Sequence, residues 1–330
     1  MVLNMRTSHV GSFPLEDSID NIRKILIDLW EIGLDAPPYP QLRSFIDIYL
    51  EPLVKEKILI SKNGFYFVKD LKDIENIIDH KPHIPEAEYT IKYIRENKLG
   101  FKWLRAPVTG VFTLASRIYV QQDISIGLTA TLINKPEYLG SIIKYVRNHL
   151  EYLKGLGYNI LFVDEPTLGV IVGKRRILYG YNEDIIRDIY DELFYDLGEE
   201  NGIHVCGRIS PKLFEILTTT KRIKYLNFEF HDSPRNIESI DKSLLVENNK
   251  YIAPGVASAK KPVVESVYEI INVLKKLIEK IDYRIDLVSA DCGFGGLIDE
   301  TNDPAKSYNI SLEKLKNIVK AVKIIKKEVS

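Results

Sequence analysis

The sequence predicts an α/β fold of the (β/α)8 TIM barrel class, built as a single domain. From residue 101 to the end, short β-rich apolar runs alternate with longer helical runs, which is typical of parallel strands joined by helical crossovers. The length of 330 residues lies in the range of such barrels. A hydrophobic fraction of 45% suffices for one large core. An open doubly wound sheet is the alternative that this pattern leaves.

Six strand and helix pairs are predicted after residue 100. The predicted strands are 101–106, 159–163, 203–206, 225–230, 251–253 and 285–288. The predicted helices are 137–154, 183–197, 211–217, 237–246, 263–281 and 312–327. Strands and helices that alternate in this way favour right-handed crossovers and a sheet buried on both faces.

The first hundred residues complete the barrel less clearly. A strand is predicted at 6–10, followed by a helix at 17–31. The eighth strand must then lie within 35–100, where a proline-rich stretch precedes a predicted helix at 41–55 and a hairpin through Asn63 and Gly64. We interpret 35–100 as an insertion that decorates the mouth of the barrel.

Composition and charge exclude several function classes. A formal net charge of −1 at pH 7 gives no electrostatic case for nucleic acid or an anionic membrane surface. No apolar stretch approaches the roughly 20 residues that cross a bilayer, and the first residues lack the layout of a secretory signal. Two cysteines cannot build a disulfide framework. The sequence therefore predicts a soluble, cytoplasmic protein.

The two cysteines mark the candidate chemistry. Cys206 ends a predicted strand two residues after His204, and Cys292 follows the last predicted strand. Side chains two apart in a strand share a face, and strands of a barrel deliver their last residues to one mouth. Thiolates and imidazole are preferred zinc ligands. The alternative is a small buried cysteine beside a core histidine.

A further side chain is needed to complete a zinc site. Glu229 ends the strand after the one that carries His204 and Cys206, and His231 has the same facing. The residues leave the choice between Glu229 and His231 open. A zinc ion held by thiolates keeps a bound thiol deprotonated near neutral pH. This chemistry predicts activation of a thiol substrate as a nucleophile.

Taken together, these motifs resemble the catalytic barrel of cobalamin-independent methionine synthases. The motifs, in family order, are V-G-S-F-P at 10–14, D-E-P at 164–166, H-x-C at 204–206, Glu229, and D-C-G at 291–293. The resemblance implies zinc binding by four residues, which are His204, Cys206, Glu229 and Cys292.

The resemblance also implies an amino-acid site. The backbone at Val10, Gly11 and Ser12 would hold the substrate carboxylate, and Asp164 would hold the ammonium group. Without the resemblance, Gly11 reads as a turn glycine and Asp164 as a helix N-cap. The family has a further acidic partner for the ammonium, for which Asp47 and Glu51 are candidates.

The chain departs from the family in features that serve methyl-folate. It corresponds to the core form, without the additional N-terminal barrel of folate-using members. No tryptophan follows P-V-T at 107–109, where those members stack the pterin. In the loop after 254–256 the family has a histidine that assists proton transfer. Lys260 lies near that position and is the candidate catalytic residue.

The function implied is methyl transfer to the thiol of L-homocysteine, which gives L-methionine. The expected donor is a methyl-corrinoid such as methylcobalamin, or a methyl-folate, and a second polypeptide is a possible carrier. One alternative is a zinc-dependent alkyltransferase acting on another thiol such as coenzyme M. The other is a non-catalytic barrel that binds zinc or a partner. Asp164 separates the two transferases, because only an amino-acid substrate needs an ammonium partner.

Overall fold

The computed structural model describes residues 5–329 and shows an α/β fold around a parallel sheet. Within those residues there are eight strands, which are β1 (Leu59–Lys62), β2 (Phe65–Val68), β3 (Arg105–Thr109), β4 (Ile118–Tyr119), β5 (Ile160–Asp164), β6 (Asn201–Val205), β7 (Tyr225–Glu229) and β8 (Tyr251–Gly255). Five of them form the main sheet, in the order β3-β5-β6-β7-β8. All neighbours in this sheet are parallel, so its strands deliver their last residues to the same edge.

Helices connect and cover these strands. They are α1 (Ile19–Ile32), α2 (Asp47–Lys55), α3 (Pro85–Glu96), α4 (Val111–Ala115), α5 (Leu139–Leu156), α6 (Pro166–Ile171), α7 (Glu183–Leu193), α8 (Pro211–Thr219), α9 (Lys242–Glu247), α10 (Val267–Ile281) and α11 (Pro304–Val329). The longer ones turn an apolar stripe to the sheet; in α10, for example, Ile270, Leu274, Leu277 and Ile281 are buried. No helix among residues 5–329 is long and apolar enough to cross a membrane.

Single parallel bridges extend the main sheet at both ends. The bridged pairs are Ser8–Ala36, Pro38–Arg105, Ile252–Ile285, Gly255–Ser289 and Thr7–Val288. The predicted strands 6–10 and 285–288 are not continuous strands, because each pairs with its neighbours only through single bridges. A bend at Leu287, which has a φ of 53°, interrupts the second segment. The two segments are joined to each other by the Thr7–Val288 pair. The sequence pattern did not locate the eighth strand. The segment that takes its place between residues 8 and 105 is 36–38, inside the predicted insertion.

A buried ion cluster fixes the start of the chain against the last extended segment. Arg6 is only 4% exposed, and its Nη2 donates to Asp286 Oδ2 at 2.6 Å. The same nitrogen donates to Glu200 Oε2 at 2.7 Å and to the Tyr225 hydroxyl at 2.7 Å. Three separate parts of the chain thus meet on one guanidinium, whose burial is offset by two carboxylates.

The prediction of a hairpin at Asn63 and Gly64 is confirmed. β1 and β2 pair antiparallel around these two residues, which have φ values of 53° and 78°. Positive φ at both central residues is the requirement of the tight turn that asparagine followed by glycine favours. The hairpin joins β4 in a second, small sheet of order β1-β2-β4.

Several predicted boundaries are wrong for local reasons. The predicted helix 237–246 is a 3-10 turn at Pro234–Ser239 followed by α9, because the Asp241 side chain accepts from Ser243 N and starts a new helix. The predicted helix 263–281 begins only at Val267, where Ser266 and Glu269 form a capping box. The predicted helix 41–55 begins only at Asp47.

The predicted strand 101–106 is shifted to β3, which contains Pro107. A proline interrupts a ladder only on the side to which its nitrogen would donate. β3 has a continuous strand partner on one side alone, namely β5. The Pro107 carbonyl has a side-chain partner, since it accepts a hydrogen bond from the Tyr39 hydroxyl at 2.7 Å.

Burial of a neutral histidine in α5 predicts a loss of stability in acid. His149 is 1% exposed and its Nδ1 donates to the Tyr145 carbonyl at 2.9 Å; burial lowers its pKa to about 4. Between this pKa and the unfolded value of roughly 6.5, the unfolded chain binds a proton that the folded chain excludes, so stability falls as pH falls through that window.

Replacement of His149 by Asn should therefore flatten the pH dependence of the free energy of unfolding by about 1.4 kcal/mol per pH unit in that window. Denaturant unfolding between pH 6.5 and 4 measures the slope. His83→Asn is the control, since the His83 side chain is 65% exposed. Equal slopes for His149→Asn and the unaltered protein would contradict the assignment.

Candidate active site

Two thiols and an imidazole meet at the carboxyl edge of the sheet. His204 lies in β6, Cys206 follows that strand, and Cys292 follows the segment 285–289, which pairs with the sheet through single bridges. His204 Nε2 lies 3.0 Å from Cys206 Sγ, and Cys206 Sγ lies 3.2 Å from Cys292 Sγ. All three ligand atoms lie within 4.8 Å of one another. Such a group has the size and chemistry of a metal site.

Electrostatics within this group stabilise a thiolate. The pKa of the Cys292 thiol lies well below its usual range because Cys206 donates to it and His204 lies beside it. The pKa of Cys206 is raised in turn, through its hydrogen bond to Cys292 and through burial. Burial opposes the charged form of His204, but the Cys292 thiolate outweighs it and raises the pKa of His204. These interactions favour the negatively charged form of the Cys292 sulfur.

Glu229 and His231 lie at the end of β7, and their surroundings differ. Glu229 is 2% exposed, and its Oε1 is buried without a partner among the described residues. Its Oε2 accepts from Ser233 Oγ at 3.2 Å. His231 Nδ1 lies 3.1 Å from Asp232 Oδ1, and its Nε2 lies 3.6 Å from Glu265 Oε1. Glu229 Oε1 is therefore available to bind a metal ion, whereas both ring nitrogens of His231 lie beside carboxylates.

His231, Asp232 and Asp291 form a second cluster of possible metal ligands, but its atoms are taken by protein partners. Asp291 accepts from the backbone N–H groups of Phe230, His231 and Asp232. Asp232 accepts from Ser258 Oγ at 2.6 Å. This cluster fixes the loop after β7 in place, directly beside Cys292.

A cavity of about 480 Å³ opens beside the thiols. Its lining includes six residues singled out from the sequence, which are Val10, Ser12, Asp164, His204, Cys206 and Cys292. Gly11 lies between two of the lining residues. Glu229 and Lys260 are not part of the lining. The Lys260 side chain is exposed, and the structure does not bring it to the cavity.

Asp164, the last residue of β5, presents a carboxylate to the cavity. It is 6% exposed, and its Oδ1 has no hydrogen-bond partner among the described residues. Burial raises its pKa to about 6, against the opposing influence of His204 and Arg105. The alternative reading as a helix N-cap is wrong, because Glu165 holds the cap position of α6.

The backbone at 10–12 is shaped by close contacts. Gly11 has a φ of 148°, and a Cβ there would lie 2.9 Å from Gln41 Oε1 and 2.9 Å from Pro107 Cγ. Glycine is therefore required by the packing and by the conformation. Ser12 is held from the other side, since its carbonyl accepts from Phe294 N at 2.8 Å and from His9 Nε2 at 3.0 Å.

Two residues at the site escaped the sequence analysis. Gln41 lines the cavity and pairs with Ser12; its position inside a predicted helix concealed it. Arg105 lies fully buried with a nitrogen 3.9 Å from Asp164 Oδ1. A charged residue within an apolar strand pattern was the available signal for Arg105.

The two acidic candidates for the ammonium lie elsewhere. Asp47 accepts from the Tyr66 hydroxyl at 2.6 Å. Glu51 lies 3.6 Å from Arg43, beside a second cavity. Neither residue is part of the lining of the cavity beside the thiols.

Known proteins with a similar sequence include archaeal methionine synthases. The chain is 23% identical over 331 residues to a methionine synthase of Pyrococcus furiosus, with 97% of this chain and 87% of the relative covered. It is 23% identical over 229 residues to that of Pyrococcus horikoshii, which covers 68% of this chain and 58% of the relative. The chain is similar in sequence to methionine synthases. No protein-family model matches it.

Solved structures show the same fold over the full chain. A B12-independent methionine synthase from Shewanella sp. W3-18-1, in complex with selenomethionine, superposes with a TM-score of 0.69 at 16% identity and covers 99% of both chains. A methyltransferase from Methanosarcina mazei gives a TM-score of 0.67 at 16% identity, with 98% of this chain and 95% of that chain covered. The predicted resemblance to cobalamin-independent methionine synthases is confirmed.

The residue after Asp164 anchors a helix behind the site. The Glu165 carboxylate accepts from Phe112 N at 3.1 Å, from Thr113 N at 2.9 Å and from Tyr190 OH at 3.0 Å. It thereby caps the first turn of α4. A Cβ on Gly110 would lie 2.2 Å from Glu165 Cδ, so the two residues fit only with glycine.

Gly110→Ala should destabilise the protein by about 1–3 kcal/mol, since the added methyl must displace a buried, fully bonded carboxylate. Gly155→Ala, at an exposed position of α5, is the matched control, because a Cβ there meets nothing within 4 Å. The control should stabilise by about 0.5–1 kcal/mol. Denaturant midpoints measure both, and equal shifts in the two variants would refute the packing argument.

Proposed function

We propose that this chain transfers a methyl group to the thiol of L-homocysteine and so forms L-methionine. One observation carries the proposal. Thiolate and imidazole ligands converge on a cavity that also presents the Asp164 carboxylate, whose Oδ1 accepts no hydrogen bond from the described residues. A thiol-activating group and an ammonium partner together suit an amino acid that bears a thiol. The names of the relatives support the same reaction.

The residues fit a zinc ion. His204, Cys206 and Cys292 supply one nitrogen and two sulfur donors, which is a set that zinc prefers. We assign Glu229 as the fourth ligand, because its Oε1 is buried without a partner, whereas His231 is engaged by Asp232. Zinc would supply Lewis acidity that keeps the substrate thiol in its thiolate form.

The amino-acid end of the substrate is held by the chain itself. The Asp164 carboxylate receives the ammonium group, for which its unpartnered Oδ1 is available. The backbone N–H groups at Val10, Gly11 and Ser12 receive the carboxylate, in a turn that Gly11 makes possible. Fixing the ammonium and the carboxylate in this way orients the substrate sulfur. Positioning of this kind lowers a reaction barrier by roughly 7–11 kcal/mol.

The methyl transfer is a displacement at carbon. The substrate sulfur attacks the methyl carbon, a sulfur–carbon bond forms, and the bond to the donor breaks with its electron pair left on the donor. A folate amine must gain a proton to leave, and the exposed Lys260 lies outside the cavity lining. A corrinoid leaves without a proton. We therefore favour a methyl-corrinoid, delivered by a second polypeptide; a proton-transfer role for Lys260 stays a prediction.

The positions of the tryptophans agree with that preference. Trp103 packs against Arg6, with the guanidinium carbon 4.4 Å from the ring centre. Trp30 packs against Phe101, with ring centroids 5.1 Å apart. The chain has two tryptophans, and both are committed to contacts other than a pterin platform at 107–109.

We also propose that the extended segments close into a (β/α)8 barrel that forms a single domain, with 35–100 contributing one strand and a covering insertion. The bridged pairs on both sides of the sheet, including Thr7–Val288, support closure. Free thiolates persist in a reducing compartment, which supports a cytoplasmic location.

Metal content tests the ligand set. We expect one zinc ion per chain, and Cys292→Ser or Glu229→Gln should weaken binding by more than the roughly 10–100-fold cost of losing an outer partner. His231→Asn is the control and should retain zinc. Metal competition with a chromophoric chelator measures the affinities. Loss of zinc in His231→Asn with retention in Glu229→Gln would reverse the assignment.

Methionine formation tests the reaction. Zinc-loaded protein is supplied with methylcobalamin or with methyl-folates, and with L-homocysteine or coenzyme M as acceptor. We expect methylation of homocysteine with methylcobalamin, and loss of at least about tenfold in kcat/KM in Asp164→Asn, because a charged hydrogen bond contributes about 1.5–3 kcal/mol. Coenzyme M turnover that exceeds homocysteine turnover, unaffected by Asp164→Asn, would instead establish the other transferase.

A further inference from the structure

Arg105 is a fully buried cation directly behind the amino-acid cavity. It begins β3 and is 0% exposed. Its guanidinium carbon lies 3.9 Å from the centre of the Phe162 ring, and its Nη2 donates to Asn227 Oδ1 at 3.2 Å. Its Nε and Nη1 have no hydrogen-bond partner among the described residues. A buried charge of this kind costs several kcal/mol unless an anion lies close to it.

The nearest anion is Asp164, and the geometry of the pair is unusual. Arg105 Nη2 lies 3.9 Å from Asp164 Oδ1, which is within the range of an ion pair but beyond that of a hydrogen bond. Arg105 therefore stabilises the negative charge of Asp164 without donating a hydrogen bond to Oδ1. Elsewhere in the chain Arg6 grips Asp286 at 2.6 Å, a contact that consumes the acceptor. The loose pair leaves Asp164 Oδ1 free for a donor from the cavity.

Arg105 does not itself reach the cavity, since Asp164 is part of the lining and Arg105 is not. It can act on a bound molecule only through its neighbours. The cavity lining brings the Asp164 carboxylate together with Cys206 and Cys292, and the thiolate and carboxylate of a substrate add further negative charge. A fixed cation behind the carboxylate offsets this accumulation in a region of low dielectric constant.

Given the proposed function, we propose that Arg105 is a positioning residue for the ammonium subsite. It holds the Asp164 carboxylate in place by charge, while leaving the oxygen that receives the substrate ammonium free. The protein thereby selects thiols that carry an α-amino group over thiols that lack one.

Binding of two ligands to the full-length, zinc-loaded protein separates this role from a structural one. The ligands are L-homocysteine and 4-sulfanylbutanoate, which is homocysteine without its amino group. Calorimetry should show that Arg105→Met weakens homocysteine binding by about 10–100-fold, the cost of one charged hydrogen bond. Binding of 4-sulfanylbutanoate and the zinc content should stay within about twofold of the unaltered protein.

A double-mutant cycle tests whether Arg105 acts through Asp164. Asp164→Asn should cost about as much homocysteine affinity as Arg105→Met, and the double variant should cost little more, because both changes remove the same interaction. Losses that add in full would overturn the proposal, as would equal weakening of both ligands in Arg105→Met. If Arg105→Met does not fold, Arg105→Gln carries the test, since it retains a donor for Asn227.

Failure of the proposed function gives a different result. The unaltered protein would then bind 4-sulfanylbutanoate as tightly as homocysteine, and Asp164→Asn would change neither affinity. That outcome removes the amino-acid subsite altogether. By contrast, discrimination that depends on Asp164 but not on Arg105 overturns only the role of Arg105.

Discussion

The parallel register of three neighbouring strands is the constraint on which the site depends. Asp164 at the end of β5 is paired with His204 of β6, and His204 with Asn227 of β7. Because side chains two apart share a face, Cys206 and Glu229 then follow one step further along their strands. A slip of one residue in any of these pairings would turn the donors away from one another. The strand pairing therefore positions all of these side chains except Cys292, which a loop supplies.

Two buried carboxylates hold the loops at the site in place. Asp291 accepts three backbone N–H groups of the loop after β7, and its chain neighbour is Cys292. The Glu165 carboxylate binds the first turn of α4 in the same manner. Buried carboxylates that accept several backbone N–H groups fix main-chain positions without flexible side-chain contacts. Donor residues placed on strand ends and on such loops need little rearrangement to bind a ligand.

The sequence predicted the sheet and the convergence of His204, Cys206, Cys292 and Asp164 because each follows a short apolar run at a strand end. The two-residue periodicity of a strand is a local signal, and it can be recognised without tertiary information. Lys260 lacked such a signal: its place rested on loop alignment alone, and the structure leaves it exposed.

Other features depended on packing that no local pattern records. Gln41 reaches the cavity because residues 36–41 run extended beside the sheet and pair with Ser8 and Ser12; a proline-rich stretch without alternation gives no indication of that. The start of α10 was within reach, since Ser266 and Glu269 spell a capping box. For Arg105 the available signal, a charge within an apolar strand pattern, did not suffice, because such a charge is compatible with an exposed edge as well as with a buried interior.

Five of the ten buried side-chain atoms that lack a hydrogen-bond partner among the described residues belong to the site. Asp164 Oδ1, Glu229 Oε1, His204 Nδ1 and two nitrogens of Arg105 all lack partners among the described residues. Each such atom costs roughly 1–3 kcal/mol when nothing satisfies it. Lys250, also buried, instead donates to the carbonyls of Thr220, Lys221 and Ile223. Of the residues with an unpartnered atom at the site, Asp164 and His204 line the cavity, as expected of a binding site whose stabilising contacts are completed by its ligands.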